Sequence, residues 1–444
     1  MTTERITRSY MVLIGTYTLA ASLIWSVNTL FLLESGLSIT EVFLANAAFS
    51  AGMVIFEIPT GVVADTLGRR VSYLLSVVIL AATTVLYLVA AQVGAGIVVF
   101  VVVSIFMGLG FTFYSGALEA WVVDGLHSVA SERSLDSVFA RGQQVSGSAM
   151  FVGTIIGGFL GQVDLALPFI ARTAVLVIVF GVAFTLMHDM GFEPRPLSIG
   201  DIPAQMRKQA AVGIGAGWGD KSLRLLMISA SVRGVFLGWA FYASQPYFLE
   251  LLDRDAVWIV GLITAGASLA TIAGNQIVEL VSRRCARRTT MLIGAGAASS
   301  VSGIAIGLTS SFTLALVSLF VISAAMGVIS PVRQAYLHAV TARENRATVV
   351  SFDAMVSSIG GVGGQVGLGA IADARSYSAG YVVGGATTAL SLPVLWLLRR
   401  RGGAADILAP SSSDAGVDTS CPAGLPRVTG VEAVSVPVAT GRSS

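Results

Sequence analysis

The sequence predicts an all-α membrane protein in which twelve transmembrane helices form two pseudo-symmetric six-helix bundles. Of its 444 residues, 55% are hydrophobic and only 12% are charged, whereas soluble domains carry about 25% charged residues. Twelve apolar runs follow one another along the chain, each near the roughly 20 residues that a bilayer-spanning helix needs. A water-soluble globule is therefore excluded.

The apolar runs are bounded by charges, Gly, Pro or polar clusters. They fall at residues 10–33, 42–64, 71–91, 97–123, 138–162, 167–187, 223–249, 257–279, 289–308, 312–340, 348–372 and 379–398. They lack the strict alternation of barrel strands, so each is predicted to satisfy its backbone groups as a helix. The first run is longer than the apolar region of a signal peptide, and we expect it to remain as a span.

The positions of the charges predict the orientation. The chain has 27 Lys and Arg against 25 Asp and Glu, a net charge of +2, and a cytoplasmic amino terminus places most of the basic residues in cytoplasmic segments. Arg172, Arg254 and Arg375 are assigned to the outer side. We therefore expect a multi-pass protein of the inner (plasma) membrane with both termini cytoplasmic.

Composition divides the chain into four parts. Residues 1–188 and 223–401 are predicted to be the two six-helix bundles. Residues 189–222 are polar, carry Pro194, Pro196 and Pro203, and are predicted to be a cytoplasmic linker. Residues 402–444 are rich in Ala, Ser, Gly, Val and Pro, which favours a disordered cytoplasmic tail.

Short segments of the two halves match at nearly one offset, which indicates an internal repeat. The segment that begins at Asn28 parallels the one that begins at Gln245, and Met107-Gly108 parallels Met326-Gly327. The segment Asp65-x-x-Gly-Arg-Arg also has a degenerate copy that begins at Glu279. A duplicated six-helix unit explains this agreement, and such repeats place a substrate path between the halves.

A motif lies at the turn between the second and third spans. Residues 61–70 read Gly-Val-Val-Ala-Asp-Thr-Leu-Gly-Arg-Arg, which closely resembles the G-x-x-x-D-x-x-G-R-[KR] signature of the major facilitator superfamily. The twelve-span layout resembles that family along roughly residues 10 to 400. The resemblance implies a transporter that rocks two bundles about a central site, and the chain resembles the drug and metabolite efflux branch.

In the family this motif latches the two halves together on the cytoplasmic side. Carried over, the resemblance implies that the motif's side chains, with Asp353 as a partner from the second half, form an inner latch. Its members are Gly61, Asp65, Gly68, Arg69 and Arg70. Gly61 is expected to allow close approach of a neighbouring backbone, and Gly68 to permit a tight turn. The alternative is a simple topological anchor.

Ionisable residues deep in spans are costly and are functional candidates. Glu57 lies about 12 Å from the Asp65 turn and Arg233 about 15 Å from Leu223 along their helices. Glu57 is a candidate proton carrier, or else belongs to a fixed polar network with its neighbours. Arg233 either pairs with an acid such as Glu57 or binds an anionic substrate group.

The fourth span ends in two more acids. Glu119 and Asp124 are predicted to form a second inner ion-pair cluster with Arg141 and Arg333. The alternative is that Glu119 carries the proton. The three acids Glu57, Glu119 and Asp124 are therefore the proton-coupling candidates.

Aromatic and amide side chains at equivalent positions of the first and seventh spans are candidates for binding a substrate. An aromatic wall with a few amides suits an amphipathic, mostly apolar compound, although aromatic residues near span ends also anchor helices at the interface. The substrate-binding candidates are Trp25, Asn28, Arg233, Trp239, Tyr242 and Gln245.

These features predict a secondary active transporter that couples proton movement to the export of a small amphipathic drug or metabolite. One departure concerns the G-P-x-x-G-G element of the efflux branch, because Thr154 stands where that branch has Pro. Uptake of a sugar or organic anion, by symport or facilitated diffusion, is the alternative. A non-transporting membrane sensor is the alternative of another class.

Several other classes are disfavoured. The motifs of serine hydrolases and zinc proteases are missing from the sequence, and only three His and two Cys are present, so we expect neither enzymatic activity nor a metal site. The near-neutral charge indicates no nucleic-acid partner. We expect a monomer whose partners are membrane lipid and a small-molecule substrate, with the proton gradient in place of a cofactor.

Overall fold

The described chain consists almost entirely of helices. The computed structural model describes residues 2–130, 133–192, 204, 207, 211, 213–282, 285–342 and 345–408. The first half contains α1 (Thr3–Ser22), α2 (Asn28–Glu34), α3 (Ile39–Leu67), α4 (Arg69–Gln92), α5 (Ile97–Tyr114), α6 (Ala117–Ser128), α7 (Leu135–Val163) and α8 (Leu167–Leu186). The second half contains α9 (Lys221–Leu252), α10 (Val257–Ser282), α11 (Arg288–Leu308), α12 (Phe312–Val340), α13 (Arg346–Ala374), α14 (Tyr377–Ala389) and α15 (Ser391–Arg401).

These helices account for the predicted spans. Within the described ranges, eleven helical segments are long and apolar enough to cross a membrane, and the α1–α2 pair occupies the position of the first predicted span. We call the side on which α1 begins and α15 ends the terminus side, and the other the far side. The predicted fold class, two six-helix bundles, is confirmed.

Three predicted spans are broken rather than continuous. The first is interrupted at residues 23–27, between α1 and α2. The fourth is interrupted by Gly116, which adopts the left-handed conformation at φ +80°, a backbone shape that glycine adopts without steric cost. The twelfth divides at Leu390 into α14 and α15. Hydropathy alone does not reveal such breaks, because the side chains around them remain apolar.

Packing within each half follows the predicted repeat. A Cβ atom on Gly108 of α5 would lie 2.5 Å from the Phe49 carbonyl oxygen of α3, and one on Gly327 of α12 would lie 2.1 Å from the Thr271 carbonyl oxygen of α10. Both glycines are therefore required for close helix contact. The matched segments Met107-Gly108 and Met326-Gly327 thus perform the same packing task in the two halves.

A second pair of equivalent contacts lies at the terminus side. The Asp189 carboxylate accepts the backbone N–H of Arg70 at 2.9 Å near the start of α4, and the Asp406 carboxylate accepts that of Thr289 at 2.8 Å near the start of α11. The interval between the two acids equals that from Asn28 to Gln245. Each half therefore ends in an acid that satisfies a free N–H at a helix start.

The ends of the bundles extend beyond their predicted boundaries. In the predicted linker, Gly213–Trp218 forms a π-helix and Asp220 caps α9, while most of residues 193–212 lie outside the described residues. At the start of the predicted tail, Ala404–Asp406 forms a 3₁₀ turn in which Asp406 is buried. Residues 409–444 lie outside the described residues.

Candidate functional site

A cavity of about 590 Å³ lies between the two halves. Helices of both halves contribute to its wall, which is largely apolar and aromatic. Three of the six predicted substrate-binding residues, Trp25, Asn28 and Tyr242, line it. Asn28 also donates a hydrogen bond from Nδ2 to Oδ1 of Asn46 at 3.0 Å. The cavity has the size and the lining of a small-molecule site.

The two halves are in contact on the far side of this cavity. A Cβ atom on Gly158 of α7 would lie 2.9 Å from Cα of Gly261 in α10, so the two backbones touch. Next to them, the rings of Phe159 and Trp258 stack with centroids 6.0 Å apart. Every hydrogen bond that joins described residues of the two halves lies on the far side or near mid-depth. The cavity is therefore closed towards the far side.

The cavity opens towards the terminus side. Met53, Thr271 and Met326 line it, and residues four positions apart on a helix share a face. Each of these residues is followed, one helical turn closer to the terminus side, by a polar residue: Glu57 after Met53, Asn275 after Thr271 and Ser330 after Met326. All three polar residues are exposed. The wall therefore continues into a polar mouth, and Glu57 lies in that mouth rather than in the cavity.

Gln245 joins the halves at the break in the first span. Its Nε2 donates to the Trp25 carbonyl oxygen at 2.9 Å, and its Oε1 accepts the Thr29 backbone N–H at 2.8 Å. Both backbone groups lack helical partners because α1 has ended and α2 is beginning. Gln245, predicted to bind substrate, is 1% exposed and is missing from the cavity lining. In this conformation it is a contact between the halves.

We expect Gln245→Leu to favour opening of the far side. The variant leaves two buried backbone groups unpaired in the closed arrangement, at about 1–3 kcal/mol each, whereas water can satisfy them once the halves separate. The closed population should fall at least tenfold, measured as a longer distance between spin labels at Glu34 and Arg254. Gln276→Leu, at an exposed position of α10, is the control. An unchanged distance distribution contradicts the assignment.

Arg172 lines the cavity, whereas the distribution of charges predicts it on the outer side. It lies five residues into α8, about 8 Å from the helix start, and is only 5% exposed. Its neighbours include Tyr17 and Tyr87. The sequence already contains the signal, because the predicted run 167–187 includes Arg172 and Pro168 in the first turn of α8 marks the same helix start.

Like Gln245, two further predicted substrate-binding residues lie outside the cavity wall. Trp239 is fully buried in the second half, with its ring 5.7 Å from that of Phe43 and 5.0 Å from that of Tyr381. Arg233 is 6% exposed and interacts electrostatically with Arg333 and Asp353. The structure therefore does not bring Arg233 to Glu57, because Arg233 is buried beside Arg333 and Asp353 of its own half.

The turn at residues 61–70 takes part in an ion-pair cluster of the first half. Arg69 contacts Asp65 at 2.7 Å and Asp124 at 3.6 Å. Asp124 thus belongs to this cluster and not to a second one with Arg141 and Arg333, because α6 places it beside Arg69. Of the predicted latch residues, Asp65 and Arg69 form an ion pair here, and Asp124 of the same half joins them.

The glycines of the turn differ in their surroundings. Gly68 has φ +102°, and a Cβ atom there would lie 2.3 Å from the Asp189 carboxylate, so no larger residue fits. Gly61 is exposed, and a Cβ atom there would meet nothing within 4 Å. The expected close approach at Gly61 is therefore not present, because the second half does not reach it in this conformation.

Asp353 also lies away from the turn. Its carboxylate forms an ion pair with Arg333 of α12, within the second half. The prediction that Asp353 pairs with the motif is therefore not met in this conformation. The reason is the same separation of the halves on the terminus side that leaves Gly61 free.

Glu57 and Glu119 form none of the predicted contacts with other described residues. Thr60 donates its hydroxyl to the carbonyls of Phe56 and Glu57 in its own helix, so it does not hold the Glu57 carboxylate. Glu57 and Glu119 are both exposed, and Glu119 forms no ion pair with Arg141 or Arg333. The predicted polar network around Glu57 and the predicted pairs of Glu119 are therefore missing from the described residues.

The glycine-rich segment of α7 shapes the far-side contact. A Cβ atom on Gly157 would lie 1.9 Å from the Leu23 carbonyl oxygen, so α7 packs directly on the break in the first span. Thr154, which replaces the proline of the efflux pattern, is fully buried, and its carbonyl accepts the Ser26 hydroxyl at 3.1 Å. The segment therefore retains its packing role without proline.

Comparisons with known proteins agree with this architecture. The family model of the Major Facilitator Superfamily matches residues 10–258 and 256–419. The chain therefore belongs to the Major Facilitator Superfamily, and it is a multi-pass membrane transporter rather than an enzyme. A search of curated protein sequences gave no significant match.

Several solved structures share the fold. The nucleoside transporter NupG aligns at 12% identity with a TM-score of 0.74, over 89% of this chain and 99% of that one. The D-xylose-proton symporter aligns at 15% identity and 0.64, over 89% and 96%. The human organic anion transporter MFSD10 (TETRAN) aligns at 15% identity and 0.60, over 89% and 100%. At these identities the likeness shows the fold alone.

Proposed function

We propose that the protein is a secondary active transporter that exports a small amphipathic compound by alternating access. The observation that carries the proposal is the central cavity, which is closed on the far side by Gly158 and Gly261 and continues into a polar mouth on the terminus side. A wall of this volume and apolar character suits an amphipathic ligand. Rocking of the halves would then expose the same wall to the other side.

The positive-inside distribution of Arg and Lys supports a cytoplasmic terminus side. In that orientation the conformation described here faces the cytoplasm of the cell, in its inner membrane. The latch residues Asp65, Arg69 and Arg70 would engage the second half only after the mouth closes. The transporter is proposed to act as a monomer, with the proton gradient as its source of energy.

Glu57 is proposed to couple protons to this movement. It is exposed and is proposed to stand in the mouth, at a place that closure of the halves would cover. A charged carboxylate is costly to bury without a partner, so the protonated form favours closure and the charged form favours the open mouth. Glu57 would therefore take up and release a proton as the cavity alternates.

The experiment uses purified protein in liposomes with an imposed pH gradient. A panel of lipophilic cations, neutral drugs and organic anions is added, and net movement of each compound is measured. We expect gradient-driven movement of at least one amphipathic class. If the folded protein binds ligand while no gradient moves any compound, the proposal fails. Movement of sugars alone would favour the uptake alternative.

Glu57→Gln should abolish gradient-driven transport while preserving exchange of labelled for unlabelled substrate. The amide cannot release a proton, but the rocking movement itself remains available. Glu34→Gln, at an exposed far-side position, is the matched control and should keep full coupling. Glu119→Gln tests the competing carrier. Normal coupling in Glu57→Gln would remove Glu57 from the mechanism, and loss of coupling in Glu119→Gln alone would transfer the role.

A further inference from the structure

Arg172 is a buried cation without an anionic partner among the described residues. Its Nε atom has no hydrogen-bond partner, and the ion pairs of the described chain do not include it. Its electrostatic neighbours are the hydroxyl groups of Tyr17 and Tyr87. A buried charge without a partner costs several kcal/mol in general, so a site of this kind calls for a compensating anion.

Arg233, the other buried arginine among the described residues, has an acid in its surroundings, although its Nε and Nη1 atoms lack hydrogen-bond partners. It is attracted by the carboxylate of Asp353, which pairs with Arg333, while Arg333 itself repels it more strongly. Arg172 has no equivalent acid. Arg172 also differs from Arg233 in its location, because Arg172 lines the cavity and Arg233 does not. The charge of Arg172 is therefore presented to whatever occupies the cavity.

The rest of the wall strengthens the preference for an anion. The described lining residues include no Asp or Glu, so Arg172 supplies their one formal charge. A further polar group of the lining, the Nδ2 of Asn46, lacks a partner. It can donate a hydrogen bond. Glu57 lies one helical turn outside the lining, in the mouth, and does not neutralise the wall.

We infer that the cavity selects a small amphipathic organic anion, a carboxylate with an apolar body, whose head group binds the Arg172 guanidinium. The planar guanidinium offers paired donors that match a carboxylate. The aromatic and aliphatic lining, which includes Trp25 and Tyr242, contacts the apolar body. This inference rests on the proposed transport function and adds the charge of the transported compound.

The test compares three probes with one apolar body and different charges. They are 1-naphthylacetate, its uncharged amide and 1-naphthylmethylammonium. Binding to the purified full-length protein is followed by calorimetry. We expect the carboxylate to bind at least tenfold more tightly than the other two. Arg172→Met should abolish this preference without weakening binding of the amide, and Arg172→Lys should restore part of it, because the charge remains while the paired donors are lost.

Two controls separate recognition from folding. Arg375→Met makes the same chemical change at an exposed far-side position and should leave the preference intact. Since Arg172 has no partner to lose, Arg172→Met should keep or raise the melting temperature of the ligand-free protein. A marked fall would indicate a structural role. Equal affinities of the three probes, a preference that persists in Arg172→Met, or no saturable binding of the carboxylate would each overturn the inference.

The outcome is distinct from that of the liposome experiment. Gradient-driven movement of neutral or cationic compounds, with no preference for anions, would leave the transport proposal standing and reject the role of Arg172. Tight binding of the carboxylate that depends on Arg172, with no gradient-driven movement, would support the anion site and reject secondary active transport.

Discussion

Gly158→Leu should force the transporter open on the far side. A Cβ atom at this position already lies 2.9 Å from Cα of Gly261, and the remaining atoms of leucine have no room between the two backbones. Overpacking of a close contact costs about 3 kcal/mol, which corresponds to a roughly hundredfold loss of the closed population. Because the cycle requires this closure, transport should fall by a similar factor.

The measurement is the distance between spin labels on opposite halves. Labels at Glu34 and Arg254, introduced after Cys285→Ser and Cys421→Ser, report separation on the far side. The distance should lengthen in Gly158→Leu. Gly181→Leu is the matched control, since a Cβ atom there meets nothing within 4 Å. If Gly158→Leu leaves both the distance and transport unchanged, the contact between Gly158 and Gly261 is not a gate.

Gly61→Leu should have the opposite effect and hold the transporter in the conformation described here. Space around Gly61 is open in this conformation, so leucine is accommodated without strain. When the halves close on the terminus side, the larger side chain should obstruct the approach of the second half, with a cost again of about 1–3 kcal/mol. We therefore expect slowed transport with undiminished thermal stability.

Labels at Ser137 and Ser282, at the terminus-side ends of α7 and α10, follow this closure. In the unmodified protein, an imposed pH gradient or bound substrate should shorten the distance between these two labels. In Gly61→Leu, the population with the shorter distance should be lost. The Glu34–Arg254 distance serves as an internal control, because it should remain short. A normal terminus-side closure in Gly61→Leu would mean that residue 61 never meets the second half.

Much of the fold follows from sequence patterns that extend over many residues. Apolar runs predict helices because a bilayer leaves the backbone few other arrangements. The repeat is indicated by equivalent pairs of residues such as Gly108 and Gly327. The helix breaks escape such reasoning. The break at residues 23–27 contains no proline or glycine, and its backbone groups are satisfied by Gln245, a residue distant in the sequence.

The site was less predictable than the fold because it depends on where side chains meet. Trp25, Asn28 and Tyr242 were found from their equivalent positions in the repeat. Trp239 was misplaced because aromatic residues serve cores and cavities equally well. Arg172 is not among the predicted site residues because it lies near the outer end of the run 167–187 and is counted there as an outer-side charge.

The Gln245 contact shows how two copies of one structural unit have become different. Its repeat counterpart Asn28 bonds Asn46 within its own half, whereas Gln245 reaches the main chain of the other half. The two amides differ by one methylene group. If the halves descend from a duplicated ancestor, one added carbon atom has turned a local bond into a bond between subunit-like parts. Such divergence would make the first half depend on the second, since the free backbone groups of its interrupted helix are paired only while the two halves are in contact.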